Sequence, residues 1–185
     1  MKVMLINGSR RANGCTHTAL GIVAGELAAQ GIEAEEVHVT DEDAVERAVE
    51  DFKGCDGLVI GSPVYYASPS GEVEMFLDRF YGKSRDLAGK PAAVIASARR
   101  AGTTATLDAL AKYPTIAEMP LVSSCYWPMV HGNTPEEVLR DEEGVQTVRQ
   151  LGRNMAWLLK CIEAGRNAGI ARTPLDERAR TNFIR

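Results

Sequence analysis

The sequence predicts a doubly wound α/β fold in which five parallel strands alternate with helices. Short apolar runs recur along the chain and end at glycine or serine, as buried parallel strands often do. Between these runs, apolar residues return at a spacing of three or four, which is typical of a helix with one buried face. This alternation requires right-handed crossovers, so helices should cover both faces of the sheet.

The first half of the chain predicts three strands and two helices. An apolar, β-favouring run forms the first strand over Lys2–Asn7. A helix over Thr16–Gln30 follows, because its apolar residues have helical spacing and a glycine comes directly after it. Alternating polar and apolar residues over Ile32–Val39 indicate a half-exposed strand. A second helix is predicted over Asp41–Phe52, and the apolar run Gly57–Ile60 is the third strand.

The second half continues the alternation. A helix over Glu72–Tyr81 presents its apolar side chains to the core, and the apolar run Pro91–Ser97 forms the fourth strand. The next helix, Thr103–Tyr113, should begin with a threonine cap from position 103 or 104. The fifth strand is predicted over Met119–Ser123, and the long apolar periodicity of Gly144–Ala164 predicts the closing helix.

One domain accounts for most of this chain. A length of 185 residues is enough for a substantial single core, which we expect over residues 1–165. Residues 166–185 form a tail in which Leu175, Phe183 and Ile184 stand among many charges. Two interpretations of the tail stay open: it is disordered, or it reaches across a neighbouring subunit.

Composition excludes several function classes. The chain is 45% hydrophobic and 25% charged, with a net charge of −4, so it lacks the basic surplus of a nucleic-acid-binding protein. The apolar run after Met1 is too short for a signal peptide, and no segment approaches the roughly 20 apolar residues of a membrane span.

Cysteines and histidines are scattered along the chain. No CxxC pair is present, which favours reduced thiols and a cytoplasmic protein over a disulfide framework. No histidine has metal-ligand spacing from a second ligand, so no metal site is predicted. The residues concerned are Cys15, Cys55, Cys125, Cys161, His17, His38 and His131.

The first candidate site is the polar loop Ser9–Gly14, which leads directly into a helix N-terminus. Unpaired N–H groups and a partial positive charge make such a position favourable for a phosphate. Ser9, Asn13 and Thr16 add side-chain donors, and Arg10 or Arg11 could add a cation. The alternative is a capped turn that binds nothing. Neither a GxGxxG fingerprint nor a P-loop is present, and a loop rich in hydroxyls suits a terminal monophosphate better than a pyrophosphate.

The second candidate site is the loop Gly61–Gly71, which contains the adjacent aromatics Tyr65 and Tyr66. Aromatic side chains and accessible backbone groups suit a flat heteroaromatic ring with polar edges. Packing of the two tyrosines at a subunit contact is the alternative. Ligands of open α/β sheets bind at the carboxyl ends of the strands, where this loop and the first one meet.

The third candidate site is the loop Ser97–Thr104. Gly102 allows close approach of the backbone, and Arg99 and Arg100 are either a solvated surface pair or cations that serve a phosphate or a ring carbonyl. Trp127 and Met129, beside His131, could line a substrate entrance or pack in an interface, and packing is favoured.

These loops carry a family resemblance. The chain resembles the NAD(P)H-dependent FMN reductase family, which is flavodoxin-like, over about residues 1–164. The resemblance implies a sheet of order 2-1-3-4-5 and places it close to the iron–sulfur flavoproteins. It rests on Gly8-Ser9, Asn13-Gly14-Cys15-Thr16, Gly61-Ser62-Pro63-Val64-Tyr65-Tyr66 and Phe76-Leu77-Asp78-Arg79.

The resemblance implies FMN as the cofactor and assigns residues to each part of it. It assigns Ser9, Arg11, Asn13, Cys15 and Thr16 to the phosphate group and Pro63, Val64, Tyr65 and Tyr66 to the isoalloxazine. It assigns Ser97, Arg99, Arg100 and Gly102 to the far edge of the isoalloxazine. Close relatives often have asparagine at position 15, so the backbone N–H is expected to substitute for a side-chain donor there. No side-chain acid or base is assigned.

One departure from the relatives concerns the iron–sulfur cluster. Iron–sulfur flavoproteins carry a Cys-rich insertion after the second strand, whereas here Val39-Thr40-Asp41 runs directly on without a cysteine. A cluster-binding role therefore has no support in this sequence.

The expected activity is transfer of electrons from NAD(P)H through FMN to a small acceptor such as a quinone, flavin, nitro or azo compound. A homodimer or homotetramer is expected from the resemblance. The alternative is a flavodoxin-type electron carrier, but such carriers are usually much more acidic than −4. A phospho-receiver domain is disfavoured, because the first and third strands do not end in aspartate.

Overall fold

The computed structural model describes residues 1–174, 179 and 181, and these form five strands and six α-helices. The tail residues Leu175, Phe183 and Ile184 lie outside the described residues. The strands are β1 (Lys2–Asn7), β2 (Glu33–His38), β3 (Gly57–Pro63), β4 (Ala92–Ala98) and β5 (Met129–His131). The helices are α1 (Cys15–Ala28), α2 (Ala44–Asp51), α3 (Gly71–Lys83), α4 (Thr103–Ile116), α5 (Pro135–Val138) and α6 (Glu142–Asn167).

The five strands form one parallel sheet in the order β2-β1-β3-β4-β5, which confirms the predicted fold class and strand order. Asn7 at the end of β1 pairs with His38 of β2 and with Gly61 of β3. Pro63 of β3 pairs with Ser97 of β4 in turn. The carboxyl ends of the strands therefore lie along one edge of the sheet, as the candidate site requires.

Helices cover both faces of the sheet, each over its own core. On one face, α2, α3 and α4 bury an aromatic and aliphatic cluster that contains Phe52, Phe76 and Phe80. On the other face, α1 and α6 bury side chains such as Leu20 and Leu151. The sheet is thus doubly wound, with its strands buried between two helical layers.

Close backbone approaches at the carboxyl edge depend on two glycines. The N–H of Gly8 donates to the carbonyl of Gly61 at 2.8 Å, and a Cβ at Gly8 would lie 2.7 Å from that oxygen. A Cβ at Gly61 would lie 2.9 Å from Cγ2 of Thr16. The absence of side chains here lets α1 cross directly over the end of β3.

Several predicted elements have different ends in the structure. β3 continues to Pro63, because Ser62 pairs with Ala96 and Pro63 with Ser97 across the sheet. α2 begins only at Ala44, since Asp43 adopts left-handed backbone with φ of 53°. Three helices extend beyond their predicted last residues, and α4 includes Pro114 in its last turn.

The predicted fifth strand is wrong. In the region of Met119–Ser123, Leu121 forms an isolated bridge with Ala92, and β5 itself lies at Met129–His131, paired with the end of β4. The predicted segment bonds to β4 only at Ala92, and the chain after it contacts α6, where Asn154 donates to the carbonyl of Ser123 at 2.8 Å. An apolar run alone does not show which part of an edge segment will pair.

Candidate cofactor site

The three predicted loops meet at a cavity of about 210 Å³ at the carboxyl edge of the sheet. Nine of the predicted site residues line it: Ser9, Arg11, Cys15, Thr16, Pro63, Val64, Tyr65, Ser97 and Arg99. Four others do not line it: Asn13, Tyr66, Arg100 and Gly102. The structure thus brings most of the predicted set together from three separate loops.

The buried side chain of Asn7 fixes the shape of the first loop. Its Oδ1 accepts the backbone N–H of Ser9 at 3.1 Å, and its Nδ2 donates to the carbonyl of Ala12 at 2.9 Å. The same Nδ2 donates to Oε1 of Glu36 at 2.8 Å. One amide therefore joins both ends of the loop to each other and to β2.

Polar side chains of β2 support the first loop from the neighbouring strand. Nε2 of His38 donates to the carbonyl of Ser9 at 2.6 Å. The carboxylate of Glu36 lies 2.9 Å from Nδ1 of His17 in the first turn of α1. The alternation of polar and apolar residues in β2 predicts only a half-exposed strand. The role of His38 and Glu36 in holding the first loop was therefore not predicted from the sequence.

The starts of α1 and α4 differ electrostatically from those of the other described α-helices. α3, α5 and α6 begin with a capping side chain and acidic residues in the first turn, and α2 has Glu46 in its first turn. α1 and α4 have neither feature; Gly14 and Gly102 are their N-cap residues. The start of α1 lines the cavity through Gly14, Cys15 and Thr16, and α4 begins at the same edge of the sheet shortly after the lining residue Arg99.

Hydroxyl groups on the cavity floor link the first and third loops. The side-chain oxygens of Thr16 and Ser97 lie 2.8 Å apart, and both residues are buried. The hydroxyl of Ser9 accepts the N–H of Arg11 at 3.0 Å, which leaves its own proton available to donate.

Cys15 lies on the cavity wall, with its Sγ 3.6 Å from the carbonyl of Gly132. Burial raises the pKa of the Cys15 thiol above its ordinary value. The thiol is therefore neutral at physiological pH and adds no negative charge to the cavity.

The second loop is a tight hairpin. The backbones of Tyr65 and Ser68 bond to each other in both directions, at 2.9 and 3.0 Å. Tyr66 and Ala67 form the turn between them, and both have positive φ, 51° and 61°. Tyr65, before the turn, lines the cavity, whereas the side chain of Tyr66 within the turn is fully exposed.

The third loop packs against the second through Gly102, whose φ is 95°. A Cβ at this position would lie 2.7 Å from Cα of Ala67 and 2.9 Å from Cγ1 of Val64. Gly102, and not Thr103 or Thr104, is the N-cap of α4, so the predicted threonine cap is wrong. The loop is also held by His131, whose Nε2 donates to the carbonyl of Arg100 at 3.1 Å.

The sequence analysis missed part of the cavity wall, namely Gly132 and Asn133 after β5, together with Gly14 and Ala98. The predicted fifth strand begins about ten residues before β5 does, so the loop after β5 is not among the three predicted loops. The signal was present, because Gly132-Asn133 follows the apolar pair Met129-Val130 after one residue, His131.

Larger cavities exist elsewhere in the described chain. One of about 320 Å³ lies at the opposite end of the sheet, beside Asp56, Lys90 and the end of α6. Another, of about 470 Å³, lies along the outer edge beside Tyr126 and Trp127. Because α1 begins at the carboxyl edge, its positive end lies at the smaller cavity described above and not at these two.

Within residues 1–174, 179 and 181, no group of three or more His, Cys, Asp or Glu side chains could hold a metal ion. Over the same residues, no helix is both long and apolar enough to cross a bilayer.

The matches of this chain to known proteins agree on one family. A family model described as NADPH-dependent FMN reductase matches residues 1–134. An iron–sulfur flavoprotein of Methanocaldococcus jannaschii is 28% identical over 194 aligned positions, which cover 88% of this chain and 100% of that protein. An NAD(P)H-dependent FMN-containing oxidoreductase of Bacillus subtilis is 24% identical, over 82% of this chain and 96% of that protein.

The fold itself is found in solved structures. A flavodoxin from the domain Archaea superposes with a TM-score of 0.67 at 16% identity, over 86% of this chain and 99% of that chain. The alignment with the Methanocaldococcus protein has more positions than the 185 residues of this chain. That relative therefore contains residues that have no counterpart here.

Proposed function

Because this chain belongs to the NADPH-dependent FMN reductase family and is an FMN-dependent NAD(P)H oxidoreductase, we propose that its three cavity loops hold the FMN and that a small molecule accepts the electrons. The observation that carries the site assignment is the start of α1, where Gly14, Cys15 and Thr16 line the cavity and the helix has neither a capping side chain nor an acidic residue in its first turn. Such ends favour a bound anion.

The residues present fit FMN. The donor set of the first loop consists of backbone N–H groups, the hydroxyls of Ser9 and Thr16, and the guanidinium of Arg11, which suits a monophosphate. Pro63, Val64 and Tyr65 give the second loop an apolar surface suited to a flat ring.

Three groups of residues would hold the cofactor. Ser9, Arg11, Asn13, Cys15 and Thr16 are proposed for the phosphate group, Pro63, Val64, Tyr65 and Tyr66 for the isoalloxazine, and Ser97, Arg99, Arg100 and Gly102 for its far edge. Nine of these thirteen residues line one cavity, which supports the set as a whole. Asn13, Tyr66, Arg100 and Gly102 have weaker support, since Gly102 contacts the second loop from behind and the other three are exposed.

When bound, FMN supplies the redox chemistry, accepting a hydride from NAD(P)H and passing electrons to an acceptor. The chain contributes position and charge. Arg99 and the free N–H groups at the start of α4 place positive charge beside Val64 and the second loop, which stabilises negative charge at that end of the cavity. No side-chain acid or base is needed for this role.

A quinone, free flavin, nitro or azo compound is the proposed class of acceptor. The alternative is an electron carrier without a small-molecule substrate of its own. The modest net charge of −4 and the two cavity arginines, Arg11 and Arg99, favour the enzyme, because carriers use a strongly acidic surface to reach their partners.

Steady-state oxidation of NADH and NADPH by the FMN-loaded protein tests this proposal, with menadione or ferricyanide as acceptor and no partner reductase present. The proposal predicts many turnovers per protein with at least one of the two nucleotides. A carrier would reduce the acceptor negligibly under these conditions, even though it retains its FMN.

Location and assembly are also proposed. All four cysteines are free, which suits a reducing compartment such as the cytoplasm. A homodimer or homotetramer is proposed from the family resemblance, and sedimentation of the FMN-loaded protein would determine which one forms. The proposed division into a domain over residues 1–165 and a tail is tested by removing the tail and measuring FMN binding.

A further inference from the structure

Arg10 connects the first and second cavity loops without lining the cavity itself. Its Nε lies 2.6 Å from Oε1 of Glu72, a residue in the first turn of α3. Its guanidinium carbon lies 5.5 Å from the centre of the Tyr65 ring. Two contacts from different elements therefore define where this side chain lies.

Glu72 is suited to hold a guanidinium in place. Within the described part of the chain, its Oε2 is buried and has no hydrogen-bond partner. A backbone hydrogen bond and the Arg10 guanidinium lower the pKa of Glu72 below its ordinary value. The carboxylate is therefore ionised, and Arg10 is the cation that it contacts.

Arg11, the next residue, has a different environment. It lines the cavity beside Ser9 and Thr16, whereas Arg10 does not. The sequence alone left open which of these two cations serves a phosphate. In the structure, the guanidinium of Arg10 is directed toward Glu72 and the tyrosine, whereas Arg11 is the one of the two that lines the cavity.

We propose that Arg10 is a positioning residue that holds the Tyr65 ring against the cavity, with Glu72 fixing Arg10, while Arg11 binds the phosphate group. This inference rests on the proposed FMN site. Arg10 contacts the aromatic ring that borders the isoalloxazine side of the cavity, so its effect on binding should not depend on whether the ligand carries a phosphate.

The test compares Arg10→Gln with Arg11→Gln as a matched pair, by titrating each with FMN and with riboflavin and following flavin fluorescence. Loss of an exposed cation–π contact should weaken both ligands equally in Arg10→Gln, about 2- to 5-fold. Arg11→Gln should weaken FMN by about 10-fold or more and riboflavin by less than about 2-fold, because a charge-assisted bond to phosphate is lost. A selective loss of FMN in Arg10→Gln would overturn the proposal.

Glu72→Gln gives an independent outcome. If Glu72 fixes Arg10, the neutral amide should release the guanidinium and reproduce the losses of Arg10→Gln for both ligands. If Arg10 were instead a phosphate ligand restrained by Glu72, FMN affinity would stay the same or increase, which would contradict the proposal.

A double-mutant cycle of Arg10 and Tyr65 tests the same contact with FMN as the only ligand. In a Tyr65→Ala background, Arg10→Gln should cause little further loss, less than about 1.5-fold, because the ring that it positions is gone. The visible circular dichroism of the bound flavin should change in Arg10→Gln and in Glu72→Gln but not in Arg11→Gln. Additive losses in the cycle would contradict the proposal.

Failure of this inference differs from failure of the proposed function. If the unaltered protein binds neither flavin, the FMN site itself is wrong. If the unaltered protein binds FMN and Arg10→Gln binds FMN and riboflavin equally well, the positioning role alone is wrong. Thermal unfolding of each variant separates these results from misfolding.

Discussion

The hydroxyl oxygens of Thr16 and Ser97 lie 2.8 Å apart on the cavity floor, although Thr16 is in α1, which follows β1, and Ser97 is in β4, which β3 separates from β1 in the sheet. This contact exists because α1 crosses over β3 at Gly61, where a Cβ would meet Cγ2 of Thr16 at 2.9 Å. A glycine at the end of one strand thus allows the loops after two others to form one site.

Replacing Thr16 with valine should weaken FMN binding. Valine keeps the shape of the side chain but removes a hydroxyl from the cavity, and losing a hydrogen bond to a charged group should lower affinity about tenfold. Fluorescence titration with FMN measures the change. Thr18→Val is the matched control, because the Thr18 hydroxyl donates to the carbonyl of Gly14 and does not line the cavity; its affinity should be nearly unchanged. Equal losses in both variants would contradict the assignment.

Asn7→Asp should strongly destabilise the fold. The amide of Asn7 is fully buried and donates to both Ala12 and Glu36, so a carboxylate there would lose two bonds and lie against a second carboxylate. We expect a loss of about 3 kcal/mol or more in the free energy of unfolding, measured in urea at pH 7.

The control for this prediction is Asn154→Asp, which removes one partly exposed bond to the carbonyl of Ser123. It should cost about 1 kcal/mol. If the two variants were equally stable, Asn7 would not have the structural role described here.

Gly102→Ala should lower stability and FMN affinity together. Its φ of 95° and a Cβ position only 2.7 Å from Cα of Ala67 both disfavour a side chain, so we expect a loss of about 2 kcal/mol or more. Gly21→Ala is the control, because nothing lies near its Cβ position in the middle of α1. That variant should be stabilised by about 0.5–1 kcal/mol. Thermal and urea unfolding of both variants give the comparison.

Alkylation of Cys15 should be slow and pH-dependent. The thiolate is the reactive form, and burial raises the pKa of this thiol, so the rate with iodoacetamide should be low at pH 7 and still rise above about pH 9. Cys125 is exposed and should react readily. Bound FMN should protect Cys15 but not Cys125, as measured by peptide mass spectrometry. Rapid, FMN-insensitive alkylation of Cys15 would contradict its place in the cavity.

The parts of the fold that follow from local pattern were predictable. β1 has its predicted bounds, because the polar residues on both sides of a short apolar run limit which residues can be buried as a strand. The edge of the sheet was not predictable in this way. Leu121 and Val130 both belong to apolar runs, and both bond to β4: Leu121 forms a single bridge at its start, and Val130 belongs to the strand that pairs along its end.

Most residues that line the candidate site were predicted from the sequence, but the residues that hold its loops in place were not. Ser9, Tyr65 and Ser97 could be located because loops after parallel strands meet at one edge. The roles of Asn7 and Glu36 could not, because they arise from the contact of two strands whose register is set by the whole sheet.

The central claim is that this protein holds one FMN in the cavity formed by its three loops. Its most direct test is the absorbance spectrum of the purified protein after addition of excess FMN and extensive dialysis. We predict flavin bands that persist at one FMN per chain and that are lost to dialysis when Thr16→Val and Arg11→Gln are combined. A colourless protein that takes up no added FMN would contradict the account.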